Sequence, residues 1–323
     1  MKKLHIFSII ISLCVFFGVF FPNFSNKTNI KTEYVIENVS LNPSTNIQGI
    51  ISTDTTWDIA RSPYNITGNI LIEEGVTLTI EPGVNIWFNG DYYILNSGSI
   101  VATGNINEKI KIYNGLIKLN YTSENNFLSK ISSKNTVFES YNSIFTINHS
   151  IINDLNIYTQ NHFNDISILN SNISNIYFDT QGGSGKIIIE DNYFSNGRLS
   201  LNGNFPISEF TIKNNFFNQS SFKFEFEPIQ ISSIPIDFSN NRLIFSPHGT
   251  FFEINMCNGN FIISNNTFIG MKNEGISLSN TQVEFAENNF INCTRIFTLN
   301  SSLNSKAENN WWGTTNISMM NSL

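Results

Sequence analysis

A short pattern recurs in the second half of this sequence, and it constrains the fold more than any other feature. Six segments each contain alternating apolar residues, then Asn-Asn or Asp-Asn, then aromatic or aliphatic residues. Successive pairs are separated by 23, 26, 25, 23 and 21 residues. The second residue of each pair marks the repeat: Asn192, Asn215, Asn241, Asn266, Asn289 and Asn310. Such a period is typical of a solenoid, whose small units bury their apolar faces only against their neighbours.

The apolar residues before each mark indicate that the units are strands. Ile187 and Ile189 lie five and three residues before the first mark, and the next three repeats are apolar at the same two positions. A spacing of two is the period of a β-strand. Coils in a parallel stack are about 4.8 Å apart, so equivalent side chains touch. We therefore predict an all-β fold, a right-handed parallel β-helix of about 10 coils.

The Asn pairs themselves have two predicted roles. Asn and Asp tolerate the left-handed backbone region, so the first residue of each pair is expected to form a tight bend. The second residue is Asn in all six repeats, and its amide can donate to one coil and accept from the next. The residues two positions after each mark are expected to form a buried apolar column: Phe194, Phe217, Leu243, Phe268, Ile291 and Trp312.

The first half is less regular but compatible with the same fold. Short alternating strands are separated by Gly or Pro turns, and Gly75 and Gly98 precede comparable strands 23 residues apart. Gln181–Gly185, QGGSG, is predicted to be a flexible loop. We assign residues 26–56 to an extended N-terminal segment and residues 57–323 to one β-helix domain, which could be truncated at its C-terminus.

The N-terminus predicts an extracytoplasmic protein. Lys2 and Lys3 precede an apolar run, Leu4–Phe21, and Pro22 follows it. We interpret residues 1–25 as a signal peptide or an uncleaved signal anchor, since the run also has spanning length. In an oxidising compartment Cys257 and Cys293 could form one disulfide, and two separate buried thiols are the alternative. The Asn-x-Ser/Thr sequons, Asn38 and Asn65 among them, are about as frequent as chance predicts in a chain with 52 Asn.

Two segments resemble a known family. The first begins at Trp57 and continues through Pro63, Tyr64 and Gly75 to Leu78–Gly83, LTIEPG; the second is Ala307–Thr315, AENNWWGTT. They resemble the opening and closing coils of right-handed parallel β-helix proteins of the pectate-lyase-like superfamily, specifically secreted and surface-attached microbial repeat proteins. The resemblance implies the fold, and neither motif marks an active site. Such proteins usually continue beyond the second motif, so we expect an uncovered last coil that supports self-association.

No catalytic constellation stands out in the sequence. The resemblance implies lyase chemistry that uses acidic Ca²⁺ ligands together with an Arg or Lys base. In this sequence the one acidic cluster with a nearby Arg consists of Asp179, Glu190, Asp191 and Arg198. Charges at turns are usually only solvated, so we assign no catalytic, cofactor-binding or metal-binding residues and expect no cofactor. His149, His162 and His248 occupy unrelated repeat positions and support no triad.

Composition narrows the partners. Lys and Arg total 18 without clustering, and the net charge is -7, so nucleic acid and anionic membranes are not expected partners. Membrane contact is expected only through an uncleaved N-terminal segment. We expect a secreted or cell-surface protein with a structural, adhesive or glycan-contacting role, whose partner is a polysaccharide or another surface protein. The alternative is a polysaccharide lyase or another carbohydrate-active enzyme of the resembled superfamily.

Overall fold

The computed structural model describes residues 44–122, 125–160, 165–181, 185–203, 207–226, 236–245, 252–255, 258–272, 275–294, 296–299 and 305–313. These ranges contain β-strands and one 3-10 turn, Ile59–Arg61, and no α-helix. The strands are β1 (Thr45–Ile51), β2 (Thr55–Trp57), β3 (Tyr64–Ile72), β4 (Thr77–Ile80), β5 (Asn85–Phe88), β6 (Tyr93–Asn96), β7 (Ser99–Thr103), β8 (Ile110–Tyr113), β9 (Leu116–Asn120), β10 (Asn126–Ser129), β11 (Ile131–Lys134), β12 (Val137–Tyr141), β13 (Phe145–Asn148), β14 (Ile151–Gln160), β15 (Ile166–Leu169), β16 (Asn172–Gln181), β17 (Gly185–Glu190), β18 (Tyr193–Gly203), β19 (Ile207–Lys213), β20 (Phe216–Phe226), β21 (Ile236–Ser239), β22 (Arg242–Ile244), β23 (Phe252–Asn255), β24 (Asn258–Ser264), β25 (Thr267–Ile269), β26 (Ile276–Ser279), β27 (Gln282–Ala286), β28 (Asn289–Ile291), β29 (Phe297–Leu299) and β30 (Lys306–Glu308).

All of these strands pair in parallel and stack into three faces. Face A consists of β2, β4, β7, β10, β13, β15, β17, β19, β21, β24, β27 and β30. The other strands form one sheet that folds into two faces, as β3 shows by pairing with β5 through Tyr64–Ile66 and with β6 through Ile70–Ile72. Face B contains β5, β8, β11, β22, β25 and β28, face C contains β6, β9, β12, β23, β26 and β29, and the long strands β14, β16, β18 and β20 cross both. The predicted all-β parallel solenoid of about 10 turns is confirmed.

A single left-handed residue turns the chain from face A to face B, at what we call the first corner. Nine successive coils place a residue with φ between 49° and 57° there: Lys130, His149, Asn170, Asp191, Asn214, Asn240, Asn265, Glu287 and Asn309. Asn and Asp predominate because their short polar side chains reduce the cost of this conformation. The predicted bend at the first residue of each Asn pair is therefore confirmed in five of six repeats.

The predicted mark of the fifth repeat is one residue out of register. Asn289 is the predicted mark, but the structure puts Glu287 at the bend and Asn288 in the buried ladder. Asn266 Nδ2 donates to Asn288 Oδ1 at 3.1 Å, and Asn288 Nδ2 donates to the Ile263 carbonyl at 2.8 Å. Asn289 instead begins β28 on the exposed side of face B. Register is decided by which side chain can fill the core, and Phe290 fills it here.

The apolar column two residues beyond the ladder forms part of the core, with one correction. Phe194 stacks on Phe217 at 5.0 Å, and Phe290 stacks on Trp312 at 5.1 Å. The predicted member Ile291 is 40% exposed, whereas Phe290 is fully buried and occupies the position. Aromatic rings in neighbouring coils lie one coil spacing apart, which suits offset stacking.

The motif residues of the opening coil are structural. The Trp57 and Tyr64 rings stack at 4.9 Å inside the core, and the Asp58 backbone N–H donates to the Tyr64 hydroxyl at 2.8 Å. Asp58 also accepts from Arg61 through both the backbone N–H and the guanidinium. Within the predicted extended segment, Thr45–Ile51 forms β1 and pairs with β3.

Several predictions fall outside the described ranges. They concern the signal segment 1–25, most of Gln181–Gly185, Cys257, His162, His248 and the residues after Gly313. Cys293 is half-buried with Sγ 3.4 Å from the Ile291 carbonyl, and burial raises the pKa of its thiol. Within the part of the chain that the structure describes, no helix has the length and apolar character needed to span a membrane.

Candidate functional site

A groove follows the first corner along the outside of the solenoid, and we call it the first-corner groove. Its volume is about 650 Å³, within the usual range for ligand sites. Two columns of outward-facing side chains line it. One is the corner itself, with His149, Asn170, Asp191, Asn214 and Asn240; the other is the start of face B, with Ile151, Asn172, Tyr193, Phe216 and Arg242. The buried ladder residues Ser150, Ser171, Asn192 and Asn215 form its floor.

The ladder fixes the backbone under the groove. Asn192 Nδ2 donates to Asn215 Oδ1 at 3.0 Å, and Asn192 Oδ1 accepts from the Ser171 backbone N–H at 2.9 Å. The Ser171 hydroxyl in turn accepts from the Ser150 backbone N–H at 3.0 Å. Buried polar groups with partners in both neighbouring coils rigidify a site, so the outward-facing columns above them are held at a fixed spacing.

Two aromatic rings and a guanidinium form a short platform in the groove. Tyr193 stacks on Phe216 with ring centroids 5.1 Å apart, and the Arg242 guanidinium lies 5.7 Å from the Phe216 centroid. Tyr193 is 39% exposed, and its strand neighbour on the other side is the shorter Asn172. One face of the Tyr193 ring is therefore not covered by a second aromatic ring.

The charge of the groove is mixed. Lys109 lies at one end of the lining and Arg242 at the other, with the exposed Asp191 between them. The exposed His149 adds an imidazole, and four exposed Asn side chains supply both donors and acceptors. This combination can hydrogen-bond hydroxyl groups and accommodate an occasional acidic group.

The four residues of the predicted acidic cluster are separated by the fold. Asp191 lies at the first corner, Glu190 ends β17 on face A, and Asp179 and Arg198 lie on face C. Asp179 pairs with Tyr158 of the preceding coil, and Arg198 pairs with Tyr177. Of the cluster, only Asp179 and Arg198 therefore share a surface.

That surface of face C carries a tyrosine cluster. Tyr141 stacks on Tyr158 at 5.1 Å, and Tyr158 lies 5.5 Å from Tyr177. Burial and the neighbouring tyrosines raise the pKa of Tyr158, so its hydroxyl stays protonated and can donate. Among the residues described, no group of three or more His, Cys, Asp or Glu side chains could hold a metal ion.

Comparisons of the chain with protein-family models, with curated proteins and with solved structures give no match. The solenoid architecture is thus established by the strand pairing alone. The resemblance to the pectate-lyase-like superfamily stays a prediction.

The platform residues are not among those predicted from the sequence, although the sequence carries a signal for them. Tyr193, Phe216 and Arg242 each directly follow a ladder residue, at the first position of face B. In a strand, the residue next to an inward side chain points outward. Because the ladder Asn points inward, the residue directly after it is expected on the outer surface.

Proposed function

We propose that this protein is a secreted or surface-attached solenoid that holds a polysaccharide chain along the first-corner groove without cleaving it. The observation that supports this is the Tyr193, Phe216 and Arg242 platform beside a row of exposed Asn side chains. Sugar rings present apolar C–H faces that pack on aromatic rings, and their hydroxyl groups pair with amides. A non-catalytic role fits a site in which the nearby carboxylates lie on different faces.

The length of the groove favours a polymer over a small molecule. Its two columns extend from β14 to β22, which are four parallel pairings apart, so they cover about 19 Å at about 4.8 Å per coil. Several sugar units fit within that length. The straight columns suit a chain lying parallel to the solenoid axis.

The test is binding of the full chain to a panel of soluble polysaccharides by affinity electrophoresis and calorimetry. Tyr193→Ala should weaken binding by about tenfold or more, because it removes the open ring of the platform. Tyr141→Ala is the matched control, since Tyr141 is 38% exposed but lies on face C. Equal loss in both variants, or no binding to any polysaccharide, would contradict the proposal.

The same mixtures of protein and polysaccharide test the alternative function, which is that of an enzyme. Face C offers a carboxylate, a guanidinium and tyrosine hydroxyls on adjacent coils, and a polysaccharide lyase of the pectate-lyase-like superfamily would use such groups. We expect neither new reducing ends nor unsaturated products from pectate, alginate or neutral glycans. Turnover that disappears in Arg198→Ala or Asp179→Asn would favour the lyase.

A further inference from the structure

A second concave site lies at the corner between faces B and C, one to two coils beyond the opening motif. We call it the second-corner pocket. It has a volume of about 430 Å³ and is lined by Gly90, Asp91, Tyr92, Tyr93, Asn114, Gly115, Leu116 and Asn135. A pocket of this size suits one small ligand, whereas the first-corner groove is longer and open at its ends. The two sites share no residue.

The aromatic wall of the pocket is held from outside. Lys118 Nζ lies 5.7 Å from the Tyr93 ring centroid and 3.4 Å from Glu139 Oε2. The Tyr93 backbone N–H donates to Asn69 Oδ1 at 3.2 Å. Tyr92 packs against the core, and a Cβ on Gly90 would lie 2.9 Å from its ring. A cation therefore lies over the Tyr93 ring, and the Tyr92 ring packs closely beside Gly90.

The polar wall consists of two amides and one carboxylate. Asn135 Nδ2 donates to Asn114 Oδ1 at 3.1 Å, which orients both amides, and Asn114 holds a left-handed backbone with φ 60°. Asp91 is exposed and is the charged residue among the described lining residues. The positive charge of Lys118 is offset by Glu139, so Asp91 makes the net charge at the pocket negative.

We propose that the second-corner pocket binds a single neutral pyranose unit. The tyrosine rings would pack on the apolar face of the sugar, while adjacent hydroxyls donate to the Asp91 carboxylate and the Asn amides accept and donate at the edge. A uronic acid would place its carboxylate near Asp91 and be disfavoured. The first-corner groove, with Lys109 and Arg242 in its lining, carries no such bias.

The experiment measures binding of methyl pyranosides of neutral hexoses to the full chain by saturation-transfer NMR and by titration. The corresponding uronic acids are the comparison. We expect neutral pyranosides to bind and uronic acids to bind at least several-fold more weakly. Tyr93→Ala should weaken binding of the neutral sugar by about tenfold, and Tyr93→Phe should retain it. Asp91→Asn should narrow the difference between the neutral and acidic sugars.

Tyr193→Ala separates this proposal from the preceding one. It should leave binding of the methyl pyranosides unchanged while weakening binding of the polysaccharide. Pyranoside binding that is insensitive to Tyr93→Ala in a variant with native circular dichroism would overturn the pocket, as would equal binding of neutral and acidic sugars. Neither result bears on the first-corner groove, because the groove is tested by the polysaccharide affinities.

Discussion

Asn266 Oδ1 accepts two hydrogen bonds from Asn241, one from its backbone N–H at 2.8 Å and one from its side-chain Nδ2 at 3.1 Å. Asn266 repeats the arrangement toward Asn288, at 2.9 Å and 3.1 Å. Each buried amide thus joins two coils and also donates to a backbone carbonyl, such as that of Phe238 for Asn266. The ladder holds the first corner in register and supports the groove above it.

The ladder predicts a sharp contrast between two adjacent asparagines. Asn288→Ala should lower the free energy of unfolding by about 1 to 3 kcal/mol, because it leaves buried partners in both neighbouring coils unsatisfied. Asn289→Ala should change it by less than about 0.5 kcal/mol, since that side chain is exposed. Chemical denaturation of the two variants checks the register, and equal effects would show that it is wrong.

Asn266→Ala is expected to behave like Asn288→Ala. The Asn266 side chain is fully buried and donates to two backbone carbonyls as well as to Asn288. Its loss should also cost about 1 to 3 kcal/mol. A variant that melts at the temperature of the parent, with the same circular dichroism, would contradict a structural role for the ladder.

The first corner predicts a stabilising substitution. Glu287 adopts φ 57° at a position where five coils have Asn, and its side chain is exposed. Glu287→Asn should raise the free energy of unfolding by up to about 1 kcal/mol, because Asn pays less for the left-handed conformation. Glu284→Asn, on the exposed side of β27, controls for the loss of charge and should not stabilise. Thermal melts of both variants give the comparison.

Two glycines of the first half should differ in their sensitivity to alanine. A Cβ on Gly98 would overlap the backbone carbonyl oxygens of Glu73 and Val76, which cannot move without disturbing the neighbouring coil. A Cβ on Gly75 would meet no atom within 4 Å, so only its φ of 75° opposes the change. We expect Gly75→Ala to cost about 1 to 2 kcal/mol and Gly98→Ala to cost more. The reverse order in denaturant midpoints would contradict the packing.

The opening coil predicts a pH-dependent contact. The Arg61 guanidinium, which donates to Asp58, lowers the pKa of that carboxyl below its ordinary value of 3.8. A lowered folded-state pKa means that the contact stabilises the protein above the ordinary carboxyl range and is lost as the pH falls through the lowered pKa. In Arg61→Gln the pKa of Asp58 should move up, measured by NMR titration of its carboxyl carbon. An unchanged titration would show that Arg61 does not act on it.

The sequence by itself determined the fold class, the strand period and most of the register. Apolar side chains at a spacing of two before each Asn pair can be buried only in a strand, and Ile189, Ile212 and Ile263 are fully buried as expected. The recurring Asn required a stack, because a polar residue at one repeat position is satisfied only by its copy in the next coil. The half-buried Lys223 and Glu225 alternate with the buried Phe222 and Phe224, as the same period of two requires.

Only the tertiary structure decided which of two adjacent residues enters the core and which side chains share a surface. Asn288 and Asn289 are chemically identical, so their order was fixed by whether Phe290 or Ile291 fills the space beneath Phe268. Asp179 and Asp191 are 12 residues apart yet lie on different faces, whereas Tyr193, Phe216 and Arg242 come together from three coils. The positions of the corners and the number of residues in each coil decide which side chains become neighbours, and that number varies from coil to coil.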